Sequence, residues 1–525
     1  MKKPCSVKTM LFTIFSILSI TACSIYLNPG FKKTYSSVNE LLYSDSVNHI
    51  VLKAHSRNGF VYVFNRPWNT SDDHMQLRGE GTVFNERRQL VRSGLLNIPV
   101  DSIVLFETNA PVKSLDKSIK TTLGILTGID LLGLGFCIIN PKACYGSCPT
   151  FYLPGDNGIM SARAEGFSSS ILPSWEEADL DDLHNDELQT RTISLLMKNE
   201  ALETHAVNYV HLMAVKRNAG EQIFNDVHNN FFICNQLKTP VYANAGDSDV
   251  TALVGSLDGS EYFSKSDSFD LGRKEEMMLH FSRDAALHQP GLVITFRQTL
   301  VTTFLFYSAL GFMGNEAGDI LTNLELHPEQ RVKVNQLQTR PGSITAYGWD
   351  NLKQQWIFIS SVFEAGPIAR NTFILPIPNI HSSADLKIKL VMAKGYWRID
   401  HVALGEITEQ RNATELLPQA VIKNGVPDEE DQELLAADDQ QRSCSLPGTV
   451  LELKYLLPDS GDYALFVESK GYYLEWMRPT WWKEKNLLKL KRMVDGDEKT
   501  WRDLALEYKQ LEPQMEATFW GSKVM

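Results

Sequence analysis

The 525-residue chain carries 51 basic and 63 acidic side chains, a formal net charge of −12 at pH 7. With no basic stripe of useful length, that balance excludes a nucleic-acid binder. Hydrophobic residues at 43% and charged residues at 22% are globular values, so the chain can bury several cores without disulfide support. It opens "MKKPCSVKTMLFTIFSILSITACS", with Lys2, Lys3 and Lys8 ahead of a run of apolar and small residues from Met10 to Ile20. That run is shorter than the roughly 20 apolar residues a membrane span needs. It fits a secretory leader over 1–22.

Ile20-Thr21-Ala22-Cys23 resembles the lipobox of bacterial lipoproteins. The resemblance implies that Cys23 becomes the acylated N-terminus, carrying palmitate-type chains, and that everything after it is extracytoplasmic. Ser24 stands where an Asp would favour inner-membrane retention, so the outer membrane is the expected address. Buried methylenes would supply the attachment, about 0.8 kcal/mol each. Such a compartment permits disulfides. With Cys5 removed and Cys23 acylated, five of the seven cysteines remain, at 137, 144, 148, 234 and 444. The odd number leaves at least one outside an intramolecular bridge.

Residues 23–47 read as a lipid tether. Short β-branched runs over 48–110 ("HIVLKAH", "GFVYVFN", "QLRGEGTVF", "IPVDSIVLFET") predict a small β domain. Residues 111–146 form an apolar, glycine-rich segment. Its centre, 121–139, holds Gly124, Gly128, Gly133 and Gly135, with Asp130 in the middle. The central acid and the length argue for a buried or membrane-apposed segment rather than a span. Residues 147–290 predict a β-sandwich-like domain. Within it, "SWEEADLDDLH" reads as an acidic surface helix or turn, Ser174 serving as N-cap ahead of Glu177.

A helical segment is predicted over 291–330, because Phe306, Ala309, Leu310, Met313, Ala317, Ile320, Leu321 and Leu324 recur at helical spacing. Residues 331–410 return to strands. In "DLKIKLVM", Leu386, Ile388, Leu390 and Met392 share one face and Lys387 and Lys389 the other, as in a half-buried antiparallel strand. "LKIKLVMAKGYWRIDHVAL" resembles the closing strands of jelly-roll, galactose-binding-like modules. Residues 411–479 predict a further β segment interrupted by a solvated acidic loop at 424–441. Helices are expected over 480–525, with a Trp501, Leu504, Ala505, Tyr508, Leu511 stripe, Thr500 and Asp503 as a capping pair, and an interruption at Pro513. The whole is a mainly β, multidomain chain with helices near 300–326 and at the C-terminus.

No complete catalytic set is legible. Phosphate-binding loops, dinucleotide fingerprints, H-E-x-x-H and G-x-S-x-G are absent. Gly246-Asp247-Ser248 resembles the nucleophile block of GDS-type esterases, but no Asp-x-x-His follows to supply a base, which leaves a polar loop. Glu203 and His205 share one face of a predicted strand, His211 lies a further even step along, and an edge or surface role is expected. Cys137, Cys144 and Cys148 cluster in a dozen positions. Their spacing suits neither zinc nor a C-x-x-C redox pair, so a structural disulfide among them is expected, its partners left open. Tyr472, Tyr473, Trp476, Trp481 and Trp482 either fill a domain seam or form a ligand platform. No catalytic residue, metal or cofactor is assigned.

"GSCPTFY", "AEGFSSSILPSWEEADLDDL", "NEALETH" and "GYYLEWMR" resemble an uncharacterised group of bacterial envelope proteins. That resemblance implies a shared multidomain plan and no activity. The expectation for function is a non-catalytic lipoprotein, held at the membrane by its lipid, that binds an envelope protein or glycan or scaffolds an assembly. The alternative is a lipid-anchored hydrolase of a surface polymer.

Overall fold

The computed structural model describes residues 34–35, 52–56, 60–71, 75–84, 90–107, 148–154, 160–186, 188, 190–201, 203–282, 287–339, 342–381, 385–446, 448–475, 481 and 484–521. It is mainly β, with helices over Val301–Met313, Ala317–Leu326 and Pro328–Thr339, and again over Leu487–Val494 and Glu498–Gly521. The N-terminal strands form one open six-stranded sheet, the last of them in chain order being Ile103–Glu107. It docks on the rest through Tyr472 Oη, 2.6 Å from His55 Nδ1, and through Val61 and Val63 against Leu326.

The remaining strands do not fall into consecutive modules. One sheet joins Thr150–Pro154, Met160–Glu165 and Thr192–Lys198 to the distant Val450–Leu456. The facing sheet joins Glu177–Asp182 and Glu203–Arg217 to Asp462–Glu475. Phe151, Leu195, Val207, Leu453, Tyr455 and Leu465 fill the space between them. The sandwich expected from 147–290 is thus completed by strands some 200 residues downstream, which no local pattern encodes. The strands Gln222–Asn225, Phe231–Lys238, Trp397–Arg411, Pro290–Gln298 and Asn371–Pro376 close a barrel. A six-stranded sheet runs Ser248–Asp249, Tyr242–Ala245, Lys274–Ser282, Asp385–Ala393, Ile344–Asp350, Gln355–Val362. Its inner face (Met277, Leu279, Ile344, Ala346, Ile388, Leu390) shares a core with the barrel and the helices.

Several local expectations change. "EADLDD" is a strand, Glu177–Asp182, after a 3-10 turn at Pro173–Trp175, and Ser174 makes no cap. The acidic loop at 424–441 holds a helix, Glu429–Ala436, capped by the Asp428 side chain on the Asp431 amide, with Leu434 and Leu435 buried. The helical segment begins only at Val301, because Pro290–Gln298 is a barrel strand, and it runs on past 330 to Thr339. The last helix is capped by Asp497 rather than Thr500: Asp497 Oδ2 accepts from the Thr500 amide at 2.9 Å. That helix continues through Pro513, and Leu511 is exposed while Trp501, Leu504, Ala505 and Tyr508 are buried. A buried ionic chain fastens it to the barrel. Glu261 bridges Arg297 and Arg398, and Arg398 continues to Glu516 at 2.8 Å.

Candidate functional site

The outer face of the six-stranded sheet presents the most distinctive chemistry. Ile344–Asp350 and Gln355–Val362 form an antiparallel hairpin whose turn is fixed by Asp350. Its carboxylate accepts from the Lys353 and Leu352 amides at 2.8 and 2.9 Å. These amides, Lys353 foremost, hold the carboxyl down at about 2. The turn sets a register in which Trp349 faces Trp356 and Tyr347 faces Phe358. Period-2 alternation then sends all four rings to one face. The intervening Gly348 points inward, where a Cβ would lie 2.3 Å from Ile380 Cδ1.

The rings meet edge to face: Trp349 and Trp356 have centroids 5.3 Å apart, Tyr347 and Phe358 6.0 Å. Phe358 is 55% exposed, and the other three are half-buried. Register extends the face across the sheet, with Lys389 beside Tyr347, His280 beside Lys387 and Tyr242 beside His280. Lys389 Nζ sits 5.0 Å from the Trp356 ring and 5.7 Å from Tyr347, and pairs with Glu276 at 3.0 Å. Thr345 and Ser361 hydroxyls lie 3.0 Å apart at the near margin. Aromatic surface with interleaved hydroxyls, an ammonium and a carboxylate can cover an apolar ring face and bond its polar rim at once.

The residues singled out in the sequence lie elsewhere. Glu203 and His205 are fully buried in an inner strand, not at an edge: His205 Nε2 is 2.8 Å from Glu203 Oε1. The same oxygen accepts from the Cys148 amide at 2.5 Å. A bulge between Val207 and Tyr209 reverses the alternation, so His211 faces the other side and meets Glu415 at 2.6 Å. Ser248 is exposed in a short hairpin. Tyr472, Tyr473 and Trp481 are buried, which favours the seam over the platform for these three: Trp481 lies against Tyr307 at 5.0 Å. Trp476 and Trp482 lie outside the described residues, as do Cys23, Cys137, Cys144 and the apolar run 121–139. Cys148 is described, in a left-handed conformation at φ 83. No disulfide joins the described cysteines, and no described helix is long and apolar enough to cross a membrane.

A second cluster was invisible in the sequence. Where the sandwich meets the barrel, Glu165 Oε2 accepts from the Ile368 and Ala369 amides at 2.6 and 2.9 Å, and Glu165 Oε1 lies 3.8 Å from Cys148 Sγ. The strand Glu177–Asp182 brings Asp179 and Asp181 alongside, with Glu364 from the barrel loop. Burial pushes all three carboxyls up, Asp179 to about 7 against hydrogen bonds from the Phe167 and Ser168 amides; repulsion from Glu177 adds to it at Asp179, and repulsion from Asp179 adds to it at Asp181 and Glu364. Asp181 Oδ2 has no hydrogen-bond partner among the described residues. Among those residues no three His, Cys, Asp or Glu side chains converge as a metal site. The arrangement holds protons between two packed units.

No family model matches the chain, and no curated protein matches it. Among solved structures, it is similar to the cycloalternan-forming enzyme from Listeria monocytogenes in complex with pentasaccharide substrate, at 10% identity. The match covers 66% of this chain and 30% of that one, with a TM-score of 0.16, too low to bear on fold or function.

Proposed function

We propose that this protein is a non-catalytic lipoprotein, anchored through Cys23 on the outer membrane and facing the extracytoplasmic side, that binds a glycan through the outer face of its six-stranded sheet. The observation that carries the reading is the Tyr347, Trp349, Trp356 and Phe358 constellation, open to solvent and interleaved with Lys389. A pyranose ring carries an apolar C–H face and an equatorial belt of hydroxyls. Indole and phenyl surface covers the first, and Lys389, Glu276, Thr345 and Ser361 reach the second. Leaving Phe358 exposed and three further rings half-buried on one sheet face has a solvation cost that packing inside the protein does not recover, which supports a partner for this face.

The test is affinity electrophoresis of the soluble form without the acylated cysteine, from Ser24 onward, through gels cast with envelope and storage polysaccharides. Retardation by at least one polymer, lost in Trp356→Ala and unaccompanied by released reducing ends, is the expected result. Equal mobility of both proteins in every gel would refute the reading, and release of reducing ends would favour the hydrolase alternative.

A further inference from the structure

A cavity of about 470 Å³ opens between the helices Val301–Met313, Ala317–Leu326, Pro328–Thr339 and Leu487–Val494. Leu305, Ala309, Leu310, Leu321 and Leu490 line it, closed at one side by Trp175. The helices meet at Gly314, whose φ of 56 lets the chain turn and whose missing Cβ leaves room for Lys485. The volume lies in the lower half of the range of small-molecule sites, roughly 300–1,000 Å³.

Its walls are apolar, but the rim is charged. Glu316 is paired with Lys485, and Asp495 with Lys491. Lys333, exposed at the mouth, makes no ion pair among the described residues. Leu487 and Leu488 stand exposed beside it, at 36% and 59%. Lys333 acts on Asp495 only through space, so an apolar slot with this exposed, unbridged ammonium at its rim suits a single chain with an anionic head. The sheet face described above has no part in it, so the inference stands apart from the glycan reading.

We propose that this cavity binds one long-chain fatty acid, the hydrocarbon lying among Leu305, Ala309, Leu310, Leu321 and Leu490 and the carboxylate meeting Lys333. The chain exchanges water for helix side chains along the slot. Each added methylene that remains inside tightens binding about fourfold. The carboxylate stays at the rim, half in water, where a single ammonium neutralises it without burying an ion pair.

The experiment is displacement of a fluorescent fatty-acid analogue from the same soluble form by laurate, myristate and palmitate, with hexadecanol as the uncharged control. Affinity is expected to rise along the acid series, and Lys333→Glu is expected to weaken palmitate about tenfold while leaving hexadecanol unchanged. Ala309→Trp, which fills the slot, should abolish displacement while retaining the unsubstituted protein's circular dichroism spectrum, a sign that the fold persists. Absence of displacement by any acid, hexadecanol binding as well as palmitate, or indifference to both substitutions would overturn the proposal. So would a concentration-dependent dimer, lost in Ala309→Trp, in a protein that takes up no fatty acid, because a second copy would then occupy the slot.

Discussion

Two edge strands with similar alternation meet opposite fates. Glu177–Asp182 ends the sandwich sheet and Gln355–Val362 ends the six-stranded sheet. The first carries carboxylates at 177, 179 and 181, of which Asp179 and Asp181 are covered near the barrel loop around Glu364 while Glu177 stays exposed. The second carries Trp356 and Phe358 and stays open. By hydropathy alone the assignments would be reversed, with acids outside and rings inside. The inversion marks where packing serves something other than the core. Covered carboxyls must hold protons or repel one another, while uncovered rings hold surface in reserve for a ligand.

The largest expected effect comes from breaking the covered edge. Glu165→Ala leaves the Ile368 and Ala369 amides without their acceptor in a buried seam, at a cost of about 3 kcal/mol. A lowered urea midpoint would register it. Next is the open edge: Trp356→Ala should weaken glycan binding by about 2 kcal/mol, roughly thirtyfold, with little change in stability. If the urea midpoint fell as far as in Glu165→Ala, the ring would belong to the core.

The edges also differ in their response to pH. Asp179 has its carboxyl raised from 3.8 to about 7, so the folded state binds a proton that the unfolded chain releases. That contribution is fully present below the unfolded value and is lost as pH rises through about 7. Melting followed from pH 5 to 8 should therefore show declining stability, flattened in Asp179→Asn, while glycan binding changes little. A melting temperature that climbs over this range would contradict the assignment. The smallest effect is Lys389→Met, which removes a cation over two rings and an ion pair to Glu276, at about 0.5–1 kcal/mol of glycan affinity by titration calorimetry.

Much of the architecture is legible in the chain. The strand Asp385–Ala393 has the alternation expected of it, with Lys387 and Lys389 outward, and the helices around Val301–Leu326 follow their apolar spacing. The open face was half legible. Tyr347 and Trp349, like Trp356 and Phe358, sit two apart in strand-like runs flanking Asp350-Asn351, a period that places them on one side. The aromatic run at 472–482 is denser, yet Tyr472, Tyr473 and Trp481 are buried, because ring count carries no information about burial. The covered edge was illegible for a physical reason. Acid-rich segments disfavour strands locally, and only pairing with Asp462–Glu475 makes Glu177–Asp182 extended. Glu165 and Glu364 then arrive from elements with no sequence signal linking them to it. Likewise Glu429–Ala436 looks like a solvated acidic tract until Asp428 caps it, Leu434 is buried and Leu435 joins the sandwich core.

The central claim is that the open edge is the glycan face, and hydroxyl-radical footprinting with mass spectrometry tests it most directly. With a retarding polysaccharide present, Tyr347, Trp349, Trp356 and Phe358 should lose oxidation while Tyr242, at the far side of the sheet, loses less. Unchanged oxidation of the hairpin rings, with protection appearing at another surface of a protein that still binds, would contradict it.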